Sequence, residues 1–225
     1  MQEVEVMNYK ILDMEKYYRK DVYRHFTVDC KCSVMITSKI DVTGLLAYSK
    51  HTGTKFYINF LYVLAKALNS RDDYKMRYLY PENQLVVFDK INPAHYVFHE
   101  DTETFTVVYT EFCEEYQEFY SRCCADIEQG KQTRAYGLDG SKLNYFDASY
   151  ISWLSYEALH VELPDGHLHF PPIINWGKYQ QENGKLLMPV TVRMNHAVAD
   201  GYVVSKAFLL LEEEIQLLVK KKLQD

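Results

Sequence analysis

Apolar and polar positions change period along the chain, and those changes mark out its elements. From Cys32 to Val42 the run CSVMITSKIDV alternates at period two, as a half-buried strand does. In the next run, TKFYINFLYVLAKALNS, Tyr57, Phe60, Leu61, Leu64 and Leu68 recur at helical spacing. Short β-rich segments follow: KMRYLY, then QLVVFDKI after the Pro81-Glu-Asn turn, then HYVFHE and TFTVVYT. From Phe112 onward Tyr116, Phe119, Tyr120, Cys123, Cys124 and Ile127 keep one helix face apolar, and Gly130 and Gly137 close that region. Strands resume with ASYISWLS, EALHVEL and, after the turn Glu182-Asn-Gly-Lys, LLMPVTVRMNH. The Asn183-Gly184 pair between two apolar runs signals a hairpin. A last helix from about Tyr202 to Lys221 turns Val203, Ala207, Leu210, Leu211 and Leu218 inward, and its Lys220-Lys-Lys end suits the negative end of the helix dipole. This irregular alternation predicts an α/β fold in which a mixed sheet is covered by helices.

No repeat and no Gly-, Ser- or Pro-rich linker interrupts the 225 residues, so residues 1–225 read as one domain. A chain of that length buries a core without disulfide or metal staples. Lys and Arg number 25 against 31 Asp and Glu, a net charge of −6, which argues against a nucleic-acid partner. No apolar run is long enough to span a membrane, and the acidic start lacks a signal peptide's basic region. The five cysteines (Cys30, Cys32, Cys113, Cys123, Cys124) form no CxxC pair and read as buried, reduced thiols of a cytoplasmic protein. His167 and His169, beside a Pro-Asp-Gly turn, read as exposed loop histidines rather than a metal clip. The 20 Tyr and 11 Phe supply rings enough to line a pocket as well as fill a core.

The chemistry concentrates in Arg193-Met-Asn-His-Ala-Val-Ala-Asp-Gly-Tyr202. A strand ends at His196 and a helix begins past Gly201, with Asp200 able to cap it. A histidine held at a strand end beside a tight turn suits a general base. By spacing alone, a partly buried histidine beside an N-capping aspartate explains the segment equally well.

The segment His196-Ala-Val-Ala-Asp200-Gly201 resembles the HxxxDG signature of chloramphenicol acetyltransferases and related CoA-dependent acyltransferases. Other segments match in family order: Arg19 within Tyr-Tyr-Arg-Lys, Thr37-Ser-Lys-Ile-Asp41, Lys55-Phe-Tyr57, Val97-Phe-His99, Ser149 with Trp153, Pro172-Ile-Ile174 and Lys178-Tyr-Gln-Gln181. The resemblance runs from about Met7 to the last helix, and residues 1–6 look like a short extension. It implies acetyl transfer from acetyl-CoA to a hydroxyl without an acyl-enzyme, with no permanently bound cofactor. His196 is then the general base and Ser149 the donor to the oxyanion. Asp200 is structural, a buried charge pair with Arg19 that fixes the turn presenting the histidine. Phe26, Cys32, Phe105, Tyr136, Leu159 and Asn175 fall at acceptor-pocket positions. Lys55, Trp153, Lys178 and Tyr179 fall near the CoA channel. The resemblance further implies a homotrimer in which His196 of one subunit faces a pocket walled by its neighbour. No G-x-S-x-G elbow surrounds Ser149, so a hydrolase triad is not expected.

The departures fall in the pocket. His25-Phe26 stands where the family carries a tyrosine hydroxyl, Asn175 where it typically has threonine, and Val34 and Leu159 where it has phenylalanines. Asn195 replaces a first histidine that is not the base. The resemblance predicts an acetyltransferase acting on chloramphenicol, with the catalytic residues kept and the acceptor pocket altered. The alternatives are one of the same fold acting on another small hydroxylated acceptor, or a binding module without turnover.

Overall fold

The structure, a computed structural model, describes residues 8–163 and 168–221. The expected extension 1–6 and His167 lie outside those residues. The main sheet runs β2 (Ser33–Asp41), β10 (Lys185–Asn195), β8 (Ile173–Gly177), β7 (Tyr145–Ile151), β5 (Asn92–His99), β6 (Thr104–Tyr109), with β9 (Gln180–Glu182) also paired to β10. Strands β5, β7 and β8 run parallel and the remaining pairings are antiparallel, so the sheet is mixed, as the alternation predicts. A second antiparallel sheet joins β1 (Tyr9–Ile11), β4 (Gln84–Phe88) and β3 (Met76–Leu79). The hairpin between β9 and β10 pairs Glu182 with Lys185, leaving Asn183 (φ 50°) and Gly184 (φ 79°) as its two-residue turn. Both turn residues need a positive φ, which is why Asn-Gly occupies them.

Alternation along β10 divides its side chains between two faces. Met188, Val190, Val192 and Met194 are buried on the face that meets the helices, while Thr191, Arg193 and Asn195 point the other way. Covering the first face are α2 (Thr43–Thr52), α3 (Phe56–Asn69), α4 (Tyr116–Lys131) and α5 (Gly201–Lys221). The pattern predicts one apolar stripe on α3, but Ile58 to Ala65 are all buried. That helix lies between the sheet and its neighbours α4 and α5, so its middle turns have no side left to water. Gly130 lies inside the last turn of α4 rather than beyond it.

Trp176 on β8 ties this core to the other face. It is fully buried, stacks on Tyr150 with ring centroids 5.8 Å apart, and touches Phe60 at 5.0 Å. Burial of that size is worth about 3–5 kcal/mol against truncation to alanine. Tyr150 and Trp176 directly follow Ser149 and Asn175, so locking one face fixes what the other presents.

Several expectations fail here. Residues 157–163 alternate like a strand yet form none. Both edges of β8 are already taken, and the irregular chain after β7 instead crosses the second face, where Tyr156 OH donates to the Asn175 carbonyl at 2.8 Å. The preceding strand ends at Ile151 instead of running on to Ser155. Of the five free cysteines only Cys123 is buried, and Cys30 is exposed. His169 is not an exposed loop histidine: its side chain is 19% exposed, Nε2 lies 3.6 Å from Asp147, and burial lowers its pKa. The pattern leaves unassigned β1, β8, α2, α1 (Lys20–Arg24) and the π-type turn His25–Asp29 that continues it.

Candidate active site

His196 follows the last residue of β10, and a set of local bonds holds it there. Its N–H donates to the Cys32 carbonyl at 3.0 Å. Asn195 Oδ1 accepts from the Ala197 N–H at 2.9 Å, and the Asn195 carbonyl accepts from Val198 and Ala199 at 3.2 and 3.1 Å. Asparagine at 195 is therefore the turn-forming residue, since its side chain closes an Asx turn that histidine could not close in this way. Ala197, Val198 and Ala199 are fully buried, so the turn packs as part of the core. The His196 ring stacks on Phe26 with centroids 3.8 Å apart and planes 6° from parallel. Its Nδ1 is buried without a partner among the described residues.

Asp200 closes the turn. Oδ1 accepts from the Val203 N–H at 3.0 Å, capping α5, and Oδ2 accepts from Arg19 Nη1 at 3.0 Å. The expected pair is thus present, but it is not buried on both sides: the Arg19 side chain is 11% exposed and that of Asp200 40%. Burial pushes the Asp200 carboxyl up, yet the Val203 N–H and the bond and charge of Arg19 outweigh it, and its pKa falls below the usual range. For Arg19, burial pulls down while the bond to Asp200 leaves the pKa raised.

Ser149 belongs to a second group. Strand register sets it level with Asn175, Asn175 with Thr191, and Thr191 with Thr37, a polar row across four strands on one face. Thr191 Oγ1 lies 2.7 Å from Thr37 Oγ1 and donates to Tyr156 OH at 3.3 Å. Asn175 Oδ1 is buried with no partner among the described residues. Beside this row Phe105 contacts Tyr96 and Tyr136, and Phe98 contacts Trp153. Phe98, Phe105, Tyr136 and Trp153 are 40%, 45%, 53% and 63% exposed, a cluster of rings facing outward.

The positions expected near CoA gather where the parallel strands β7 and β8 end. Lys178 N–H donates to the Leu154 carbonyl at 2.9 Å, next to Trp153, and Tyr179 meets Phe56, next to Lys55, at 5.9 Å. Gly177 is where the two segments cross. A Cβ there would lie 3.0 Å from Leu154 O, from Pro189 and from Tyr156. Leu159 is half-buried in the irregular stretch that follows β7.

Within one chain the structure therefore brings Phe26, Cys32, Arg19 and Asp200 to His196, and Asn175 and the CoA-side residues toward Ser149. It does not bring the two groups together. Ser149 is level with Thr191, and at about 3.4 Å per residue along β10 and about 4.8 Å between strands His196 lies roughly 20 Å from it. Thr191 and Tyr156 are not singled out by the sequence, and Asn195, read there only as a replacement for a first histidine, forms the turn.

Comparison with known proteins gives the same extent. A sequence model of the family described as chloramphenicol acetyltransferase matches residues 7–212. A chloramphenicol acetyltransferase from Clostridium perfringens is 30% identical over 203 residues, covering 90% of this chain and 92% of that protein. One from Escherichia coli is 28% identical over 211 residues, 94% of this chain and 95% of its own. A solved chloramphenicol acetyltransferase structure superposes with a TM-score of 0.82 at 19% identity, covering 92% of this chain and 100% of that one, a likeness of fold. The matched span contains every residue of both groups, and the chain belongs to the chloramphenicol acetyltransferase family.

Proposed function

We propose that the protein transfers acetyl from acetyl-CoA to a hydroxyl of chloramphenicol, with His196 as general base and no acyl-enzyme. The observation that carries this reading is the His196 turn, pinned at Cys32, capped at Asp200 and stacked on Phe26. With Nδ1 buried, Nε2 is the nitrogen left to take a proton from the acceptor. The acceptor oxygen attacks the thioester carbonyl as its proton passes to Nε2, and the Ser149 hydroxyl donates to the oxyanion that forms. Collapse breaks the carbon–sulfur bond, and the CoA sulfur leaves with the proton returned from His196.

The separation of His196 from Ser149 supports a site built between two copies of the chain, in a homotrimer whose subunits each give one group to two neighbouring sites. The outward rings Phe98, Phe105 and Tyr136 supply an apolar surface for the neighbouring copy and the acceptor. Lys55 and Lys178 suit the CoA phosphates, and Trp153 and Tyr179 its adenine or pantetheine. No helix among the described residues is long and apolar enough to cross a membrane, and the five free thiols suit the reducing cytoplasm in which we place the protein.

A second acceptor of the same kind is favoured by one observation. Asn175 stands where the family typically has threonine, and its buried, unpartnered Oδ1 calls for a hydrogen-bond donor from the acceptor at that place. The test is thiol release from acetyl-CoA with chloramphenicol and with a panel of small alcohols. His196-dependent release with chloramphenicol sustains the leading reading, and release with another alcohol alone moves it to the second. Release with none of them leaves a binding module.

A further inference from the structure

We propose that the 3₁₀ turn Asp72–Lys75 positions the Arg19–Asp200 pair through Asp73 and Tyr74, making these two residues part of the machinery that orients His196. The proposal rests on the reading of His196 as the base. On one side, Asp73 is buried and both its oxygens are engaged: Oδ1 accepts from Tyr18 OH at 3.1 Å, and Oδ2 from Arg71 Nε and Nη2 at 3.0 and 2.5 Å. Tyr17, the residue before Tyr18, donates at 3.6 Å to Sδ of Met76, the β3 residue that directly follows the turn, so the turn and its flank hold both residues preceding Arg19. On the other side, the fully buried Tyr74 donates to the Val203 carbonyl at 2.8 Å. Val203 is also the residue whose N–H Asp200 caps.

These contacts close a ring. It runs from Asp73 to Tyr18, along the chain to Arg19, across to Asp200, on to Val203, and back through Tyr74 to Asp73. Arg19 needs such support. Its one hydrogen bond to Asp200 is made by Nη1, while Nε is buried without a partner among the described residues. A single bond constrains the two groups less than a bidentate pair does, so the pair's geometry depends on what anchors each end. Both ends are anchored to adjacent residues of one turn. A shift of that turn moves Arg19 and Asp200 together and preserves the bond.

The test uses Tyr18→Phe and Tyr74→Phe, each removing one hydroxyl, alone and combined with Asp200→Asn. In the full-length enzyme we expect each to lower kcat about two- to tenfold, the range one hydrogen bond carries, with KM for acetyl-CoA and acceptor within about twofold. With Asp200→Asn already present, neither should cost further turnover, because the pair they position is gone. Tyr18 is 74% exposed, so Tyr18→Phe folds without disturbing a core and decides the matter alone if Tyr74→Phe does not fold. Unchanged kcat per folded protomer, or a loss that repeats in full beside Asp200→Asn, would overturn the proposal. His196→Ala separates this from the underlying reading. If that variant keeps its turnover, the base assignment fails, whereas if it is inactive and the tyrosine variants are normal, only the positioning role fails.

Discussion

Replacing Asp200 with asparagine isolates what the charge at this position does. The amide of the Asp200→Asn variant can still offer an oxygen to the Val203 N–H, so the α5 cap survives while the ionic bond from Arg19 is lost. A hydrogen bond between charged groups contributes about 1.5–3 kcal/mol. The Asp200 side chain is 40% exposed, so water screens part of that and the expected loss sits near the lower end, about 1–2 kcal/mol. For a chain of this length that lowers Tm by roughly 2–8 °C. Asp200→Ala also loses the cap and should lie about 1 kcal/mol lower again. Because the carboxyl's pKa is depressed on folding, the charge contribution is present above the unfolded pKa and fades as pH falls through the lower folded value. The gap between wild type and Asp200→Asn should therefore close in strong acid. Denaturant melts at fixed protomer concentration, repeated from neutral to acid pH, read the charge loss, the cap loss and their pH dependence. An Asp200→Asn protein as stable and active as wild type would refute the role given to Arg19, and one indistinguishable from Asp200→Ala would refute the role of the carboxyl as the α5 cap.

The remaining expectations are more local. Ser149→Ala should cut kcat by about 10²–10³, with acceptor KM little changed, because its bond forms fully only in the transition state; an equal rise in KM would make Ser149 a ground-state contact instead. Phe26→Tyr with Asn175→Thr should lower the KM for chloramphenicol about ten- to hundredfold by restoring polar contacts at the pocket, and steady-state kinetics showing no gain would point to another acceptor. Burial pushes His95 down to about 3, and its two ring nitrogens lie 3.0 Å from Tyr57 OH and 2.9 Å from Thr110 Oγ1. Its unfolded counterpart takes up a proton from about pH 6.5 downward, so stability should fall with pH below that point and the slope should flatten in His95→Gln. Identical slopes in urea melts between about pH 4 and 7 would contradict the assignment.

What the chain reveals of itself follows from how local each feature is. The long helices, the strand over Ser33–Asp41 and the Asn183-Gly184 hairpin are written in short-range period and turn chemistry, and the structure contains them. The His196–Asp200 turn is contiguous, and its cap is read directly from the residues. Pairings between distant segments are not so written. Arg19 and Asp200 are 181 positions apart, and only the resemblance joined them beforehand. Residues 157–163 carry a strand's alternation, but whether a strand forms depends on a free sheet edge, and β7 and β10 had taken both edges of β8. The separation of His196 from Ser149 is a fact of register across three strands, invisible in spacing along the chain.

The central claim is that catalysis needs His196 from one subunit and Ser149 from another. His196→Ala and Ser149→Ala subunits, each nearly inactive alone, can be denatured together in equal amounts and refolded into mixed oligomers. If each site takes its histidine and its serine from different subunits, about a quarter of the sites will combine the two intact residues. Turnover should then recover to about a quarter of wild type, far above either parent. Activity in the refolded mixture no greater than the mean of the two parents would contradict the account.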